Sequence, residues 1–167
     1  MKYCTAPWRQ PYVQKAGKMK GCVFCEALRQ KDDEKALILY HGQHNFVLIN
    51  RYPYTTGHLM IAPYRHLAEV DRAPLDILEE AAHLIPATIR ILKKVYHPHG
   101  FNLGMNLGQS AGAGVVDHFH LHLVPRWTGD SNFMPIIGEV RVFCEDLLTT
   151  YQRLKPYFAR EEKKQEK

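Results

Sequence analysis

Three histidines alternate with apolar residues in His118-Phe119-His120-Leu121-His122-Leu123. Successive side chains of an extended strand take opposite faces. This spacing therefore sends His118, His120 and His122 to one face and Phe119, Leu121 and Leu123 toward a core. Same-face neighbours stand roughly 6.5–7 Å apart, and three imidazoles buried side by side without partners would carry a large desolvation cost. The row points to chemistry rather than to packing, and two chemistries fit it. A His-x-His pair on a strand begins a zinc site that keeps a position open for water. Alternatively, one ring attacks phosphorus while its neighbours hold the phosphate oxygens. The stretch Gly108-Gln109-Ser110-Ala111-Gly112-Ala113-Gly114 just upstream favours phosphate, because glycines let several backbone N–H groups converge on an anion. It is neither a Walker loop nor a dinucleotide fingerprint.

Several elements must carry this row. Residues 36–40 and 44–50 are short β-branched and aromatic runs separated by His41-Gly42-Gln43, which reads as a hairpin. Pro53 to Gly57 is turn chemistry, and 58–63 is a third strand that Pro63 ends. From Pro74 to Tyr96 apolar residues recur at helical steps (Leu78, Ala82, Ile85, Ile89, Leu92, Tyr96), with Pro74 suited to the first turn and Pro98 and Gly100 to the exit. Pro86 inside this helix is expected to kink or split it. A strand over 101–107, the Gly-rich loop, a strand over 115–125 and a closing helix over about 139–155 complete the pattern. The fold class is α+β, with an antiparallel sheet of about five strands, one long helix and a C-terminal helix.

The chain has 167 residues, 46% hydrophobic and 23% charged, the balance of one globular domain with a real core rather than of a disordered chain or a disulfide-stapled miniprotein. Its purely apolar runs, such as Phe46 to Ile49, fall far short of the ~20 residues of a membrane span. The opening residues MKYCTAPWRQ contain no apolar run of the secretory kind, and four cysteines in such a chain read as reduced thiols or metal ligands in the cytosol. The net charge of +5 sits wholly in residues 1–20, through Lys2, Arg9, Lys15, Lys18 and Lys20, since the rest balances 17 basic against 17 acidic residues. A basic arm draws anions. The organisation expected is an arm over 1–20, a domain over 21–157 and a charged tail over 158–167.

Asp117-His118-Phe119-His120-Leu121-His122-Leu123-Val124-Pro125-Arg126 resembles the signature of the histidine triad (HIT) family of nucleotide hydrolases and transferases. The resemblance continues in Phe46 to Pro53, in Gly57-His58-Leu59-Met60-Ile61-Ala62-Pro63 and in Asn106 to Gly114, covering roughly Cys22 to Trp127. It implies a HIT-like fold and a covalent two-step reaction. His120 would attack the α-phosphorus of a nucleotide, and water or inorganic phosphate would then attack the nucleotidyl-histidine. By the same match His122 would contact phosphate oxygens, His58 would extend the histidine network, and Asn50 would meet a ribose hydroxyl. Asn106, Ser110, Gly112, Gly114 and Val115 would line the phosphate path, with Trp127 beside the substrate. Many members carry Gly-Gln-Ser or Gly-Gln-Thr before the triad; here Gly112-Ala113-Gly114-Val115 leaves those contacts to backbone N–H groups and Ser110. With Ala6 to Arg9 and Trp127 to Phe133, this variant looks most like the diadenosine tetraphosphate phosphorylase branch, with phosphorolysis as the second step. The resemblance also implies a homodimer whose sheets join.

Cys22-Val23-Phe24-Cys25 is a single CxxC, shared by thioredoxin-like redox centres and by half a zinc site, and no βαβ pattern supports the first. Some HIT proteins bind structural zinc through such a CxxC together with a histidine after the third strand and the first triad histidine. The matching positions are Cys22, Cys25, His66 and His118. Two thiolates and two imidazoles form a closed tetrahedral set, structural rather than catalytic, and a His118 so occupied is not a phosphate ligand. Cys4 and Cys144 have no evident partner. Two other readings stay open at this point. One is a zinc hydrolase with the triad as ligands. The other is a nucleotide- or RNA-binding module with little turnover, although binding alone needs no nucleophile and a nucleic-acid partner is not expected.

Overall fold

The computed structural model describes residues 21–130 and 145–165; the basic arm, Ser131 to Phe133, Cys4 and Cys144 lie outside them. The elements run α1 (Val23–Arg29), α2 (Asp33–Ala36), β1 (Ile38–His41), β2 (Asn45–Ile49), β3 (Leu59–Pro63), α3 (Leu75–Tyr96), β4 (Gly100–Gly104), β5 (Leu121–Arg126) and α4 (Leu147–Gln165). Short 3-10 turns occupy Val70–Arg72 and Gln109–Ala111. The strands form one sheet in the order β1-β2-β3-β5-β4, with every neighbour antiparallel. This is the α+β, five-stranded antiparallel architecture that the residue pattern predicts.

The period of two sorts the sheet into two faces. Val47 and Ile49 of β2, Leu59 and Ile61 of β3, and Leu121 and Leu123 of β5 bury against Ala81, Leu84, Ile91 and Leu92 of α3 and Tyr151, Leu154 and Phe158 of α4. The intervening Phe46, Leu48, Met60 and Ala62 face the other way, against Phe24 and Ala27 of α1. The register pairs Met60 with His122, so His122 belongs to the α1 face. One face is thus a helix-covered apolar slab, and the other carries the polar row.

Several sequence expectations shift. The long helix buries Ile77, Ala81, Leu84, Thr88, Ile91 and Leu92 rather than the stripe through Leu78, Ala82, Ile85 and Ile89. The two stripes lie side by side, and Thr88 in the true one obscures it, while Ile85, Ile89 and Tyr96 pack at its flank. Pro86 leaves this helix a single 22-residue element. Pairing of the fifth strand begins only at Leu121, although the alternation upstream still buries Phe119. The closing helix starts at Leu147, where Asp146 accepts the Thr149 N–H, and continues past residue 157 to Gln165. The helices α1 and α2 were not anticipated. Asp32 caps α2 by accepting the Lys35 N–H, and Leu37 leaves it in the left-handed region (φ 63°) to enter β1.

The β1–β2 turn is pinned from α3. The Glu80 carboxylate accepts the N–H groups of Gln43 (2.5 Å), His44 (2.8 Å) and Asn45 (2.7 Å), and the Asn45 Nδ2–H (2.9 Å). Gly42 makes room for it, since a Cβ there would stand 2.6 Å from Glu80 Oε1. Hydrogen bonds to a charged acceptor contribute more than neutral ones, and leaving their donors unpaired adds a desolvation cost. Glu80→Ala should therefore lower unfolding stability by about 2–3 kcal/mol, read as a lower urea midpoint at unchanged slope.

Candidate active site

A cavity of about 570 Å³ opens on the α1 face of the sheet. His120 and His122 stand in its wall, with Val23, Phe24 and Ala27 of α1 and Leu48 and Met60 of the sheet giving it an apolar side. Asn50, Asn106, Gly112, Gly114 and Val115 also line it. Ser110 and Trp127 do not. Ser110 is exposed in the 3-10 turn, and the Trp127 indole N–H donates to the Tyr96 carbonyl (3.3 Å). Asn50 lies at the cavity with its Oδ1 already accepting the Tyr52 N–H (2.9 Å), which closes the turn after β2.

Hydrogen-bond partners decide which nitrogen of each ring carries a proton. His120 Nδ1 lies 3.0 Å from the His118 carbonyl. A carbonyl only accepts, so Nδ1 bears the proton and Nε2 keeps its lone pair. Burial pushes the His120 pKa down, against the pull of that carbonyl, so the ring is neutral near pH 7. The product is a nucleophilic nitrogen. His58, fully buried, accepts the Tyr54 N–H at Nδ1 (3.0 Å), with the Asn50 amide also 3.4 Å from that atom. Its proton must then sit on Nε2, which meets His122 Nδ1 at 2.9 Å. His122 consequently accepts at Nδ1 and carries its proton on Nε2, as a neutral donor suited to a phosphate oxygen. Ring contacts continue the row: His120 and His122 meet edge to face with centroids 4.7 Å apart, and Tyr54 packs on His58 at 4.6 Å.

His118 turns to a different task. Its Nε2–H donates to the Pro63 carbonyl (2.9 Å), which leaves the Nδ1 lone pair 3.2 Å from Cys22 Sγ and 3.8 Å from Cys25 Sγ. His66 Nδ1 stands 3.4 Å from Cys25 Sγ, and the four ligand atoms all fall within 4.8 Å of one another. A tetrahedral zinc ion, with ligands at roughly 2.0–2.3 Å, would separate them by roughly 3.3–3.8 Å. The donor set therefore fits a tetrahedral metal with little rearrangement. Burial lowers the His118 pKa to about 4, with His66 and His120 adding to the effect, so the imidazole is neutral as a ligand must be. Burial also pushes the Cys22 thiol up, with the neighbouring Cys25 thiol contributing, and a cation at the knuckle would pull that thiol back down.

Of the residues expected from the sequence, the structure gathers His58, His120, His122, Asn50, Asn106, Gly112, Gly114 and Val115 at or behind the cavity. Cys22, Cys25, His66 and His118 form a knuckle beside it. Phe24 and Tyr54 were missed. Phe24 was visible only as a filler of the CxxC, and Tyr54 as part of a turn.

Residues 31–129 match the family model of the HIT domain. The chain belongs to the histidine triad family, and thereby to a class of nucleotide hydrolases and transferases. Among characterised sequences it is similar to an AP-4-A phosphorylase of Mycobacterium tuberculosis, with 43% identity over 136 residues, covering 79% of this chain and 68% of that protein. Among solved structures it shares its fold with a zinc-bound histidine triad protein of Mycobacterium smegmatis (TM-score 0.68, 24% identity, 86% of this chain and 96% of that one). It shares it also with a diadenosine triphosphate hydrolase of Plasmodium falciparum (TM-score 0.62, 14% identity, 92% and 97%).

The deduced proton positions are measurable. Long-range ¹H–¹⁵N correlation spectra at neutral pH should show His120 protonated on Nδ1, and His58 and His122 protonated on Nε2. A His120 protonated on Nε2 would contradict the hydrogen-bond assignment.

Proposed function

We propose that this chain cleaves a dinucleoside polyphosphate of the diadenosine tetraphosphate kind, through a nucleotidyl-histidine on His120, with inorganic phosphate as the second acceptor. The observation that carries this reading is the His118 carbonyl on His120 Nδ1, which leaves Nε2 unprotonated at the cavity wall. In the first step that lone pair forms a P–N bond to the α-phosphorus, and the bond from phosphorus to the bridging oxygen breaks. A nucleoside triphosphate leaves with the electron pair. The His122 Nε2–H stabilises charge on the phosphate oxygens as the bonds change. In the second step an oxygen of inorganic phosphate attacks phosphorus, the P–N bond breaks, and a nucleoside diphosphate leaves with His120 restored. The 43% identity to an AP-4-A phosphorylase supports the choice of substrate and acceptor.

The same reading gives Cys22, Cys25, His66 and His118 a structural zinc ion, which would tie α1 to the segments before β5 without entering the reaction. A reducing cytosol suits such thiols. The β4 edge supports a homodimer with joined sheets. Among the described residues β4 pairs only with β5, and Leu103 within it and Leu107 just after it are exposed. The working unit is the domain that begins at residue 21 and runs past 157 into the remainder of α4, whose Phe158 packs in the core.

Incubation with diadenosine tetraphosphate should yield ADP plus ATP only when inorganic phosphate is present, and His120→Asn should abolish both turnover and an acid-labile nucleotidyl-enzyme. AMP plus ATP without phosphate would instead establish hydrolysis. Purified protein should hold one zinc per chain by atomic spectrometry. Cys25→Ala should lose that metal and melt several degrees lower, since binding energy at a structural site is folding energy.

A further inference from the structure

Phe24 stands between the two thiols of the knuckle in sequence and against two histidines in space. Its ring centroid lies 4.7 Å from that of His120 and 5.0 Å from that of His118, both tilted. The single bond from His120 Nδ1 to the His118 carbonyl sets the proton, but it leaves the imidazole free to rock about that contact. Two rings pack against it and limit that rocking: Phe24, tilted by 43°, and His122, near edge-to-face, each with its centroid 4.7 Å away. Phe24 is only 1% exposed. It lines the cavity with little of its surface and packs mainly on the imidazole rings beside it. Its own position follows from α1, whose first turn carries Cys25 and whose N-cap is Cys22.

We propose that Phe24 is a positioning residue that aims His120 Nε2 at phosphorus and makes that aim depend on the Cys/His knuckle. The proposal rests on the nucleotidyl-His120 reading given above. It assigns the CxxC helix a part in the chemistry through packing alone, because a small misplacement of an attacking atom slows a reaction far more than it weakens binding.

The test is Phe24→Leu in the full chain, which keeps most of the apolar volume and removes the flat face. Three quantities are read: the single-turnover rate of nucleotidyl-enzyme formation, the affinity for AMP by calorimetry, and the His120 ring resonances. The single-turnover rate at saturating substrate should fall about tenfold or more, well beyond any change in AMP affinity, with zinc content unchanged. The His120 ring-proton signals should shift as the aromatic ring current disappears. Phe24→Met gives the same readings if the leucine variant does not fold. An unchanged rate, or a weaker AMP affinity with the rate preserved, would overturn the proposal and leave Phe24 a pocket wall. His120→Asn run in parallel separates the two ideas. An adduct persisting in His120→Asn removes the nucleotidyl-His120 reading itself. Loss of the adduct there, with Phe24→Leu as fast as wild type, removes only the positioning role.

Discussion

The chemistry depends on one hydrogen bond, from His120 Nδ1 to the carbonyl of His118. An imidazole exposed to water samples both tautomers and, near its ordinary pKa, the charged form as well. Burial removes the charged form, and the carbonyl removes one tautomer. What remains is a ring with its lone pair committed to Nε2. The acceptor belongs to the residue whose own side chain enters the knuckle, so the backbone that orients the His120 ring is anchored two residues upstream by Cys22, Cys25 and the Pro63 carbonyl. Position 118 thus serves with its main chain in one direction and its side chain in the other.

The histidines behind this bond form a directional chain. A backbone N–H can only donate, so Tyr54 sets His58, and His58 sets His122. The fixed donor at the start and the fixed acceptor at the His118 carbonyl give neighbouring rings opposite proton placements, an acceptor at His120 Nε2 and a donor at His122 Nε2. A ring with a free lone pair and a ring with an outward N–H are therefore produced from the same residue type, and the difference comes wholly from the backbone atoms they meet. The apolar slab of β2, β3, α3 and α4 holds those backbone atoms in place, since Leu59, Ile61, Leu121 and Leu123 share its core.

Much of this was legible in residue spacing. The alternation from His118 to Leu123 predicts which side chains share a face, and the first three strands, the hairpin and the long helix occur near their expected bounds, whereas the fifth strand starts six residues late. Less legible were features decided by tertiary partners. Thr88 takes a core position that its polarity disguises, which shifts the helix face by one residue from the expected stripe. The helices α1 and α2 are short and hold through Phe24, Ala27 and the Asp32 cap rather than through periodicity. Ser110 and Trp127 fall beside the cavity because the turn Gln109–Ala111 and the Tyr96 carbonyl claim them. The spacing of the triad says nothing of a tautomer, which requires knowing that Tyr54 N–H, and not a carbonyl, faces His58.

The Gly-rich loop brings main-chain N–H groups to the edge of the cavity. Gly108 and Gly112 adopt φ of 80° and 82°, and a Cβ on either would meet nothing within 4 Å. Their value is conformational rather than spatial, because L residues rarely hold that backbone. The turn they permit already uses two N–H groups internally, Gly112 to the Gln109 carbonyl (2.9 Å) and Ala113 to the Gly108 carbonyl (3.3 Å). The next two, of Gly114 and Val115, make no internal hydrogen bond among the described residues, and both residues line the cavity. An anion placed there meets donors that no side-chain substitution removes, so phosphate affinity at this edge should depend on keeping the turn before them intact more than on the identity of Ser110.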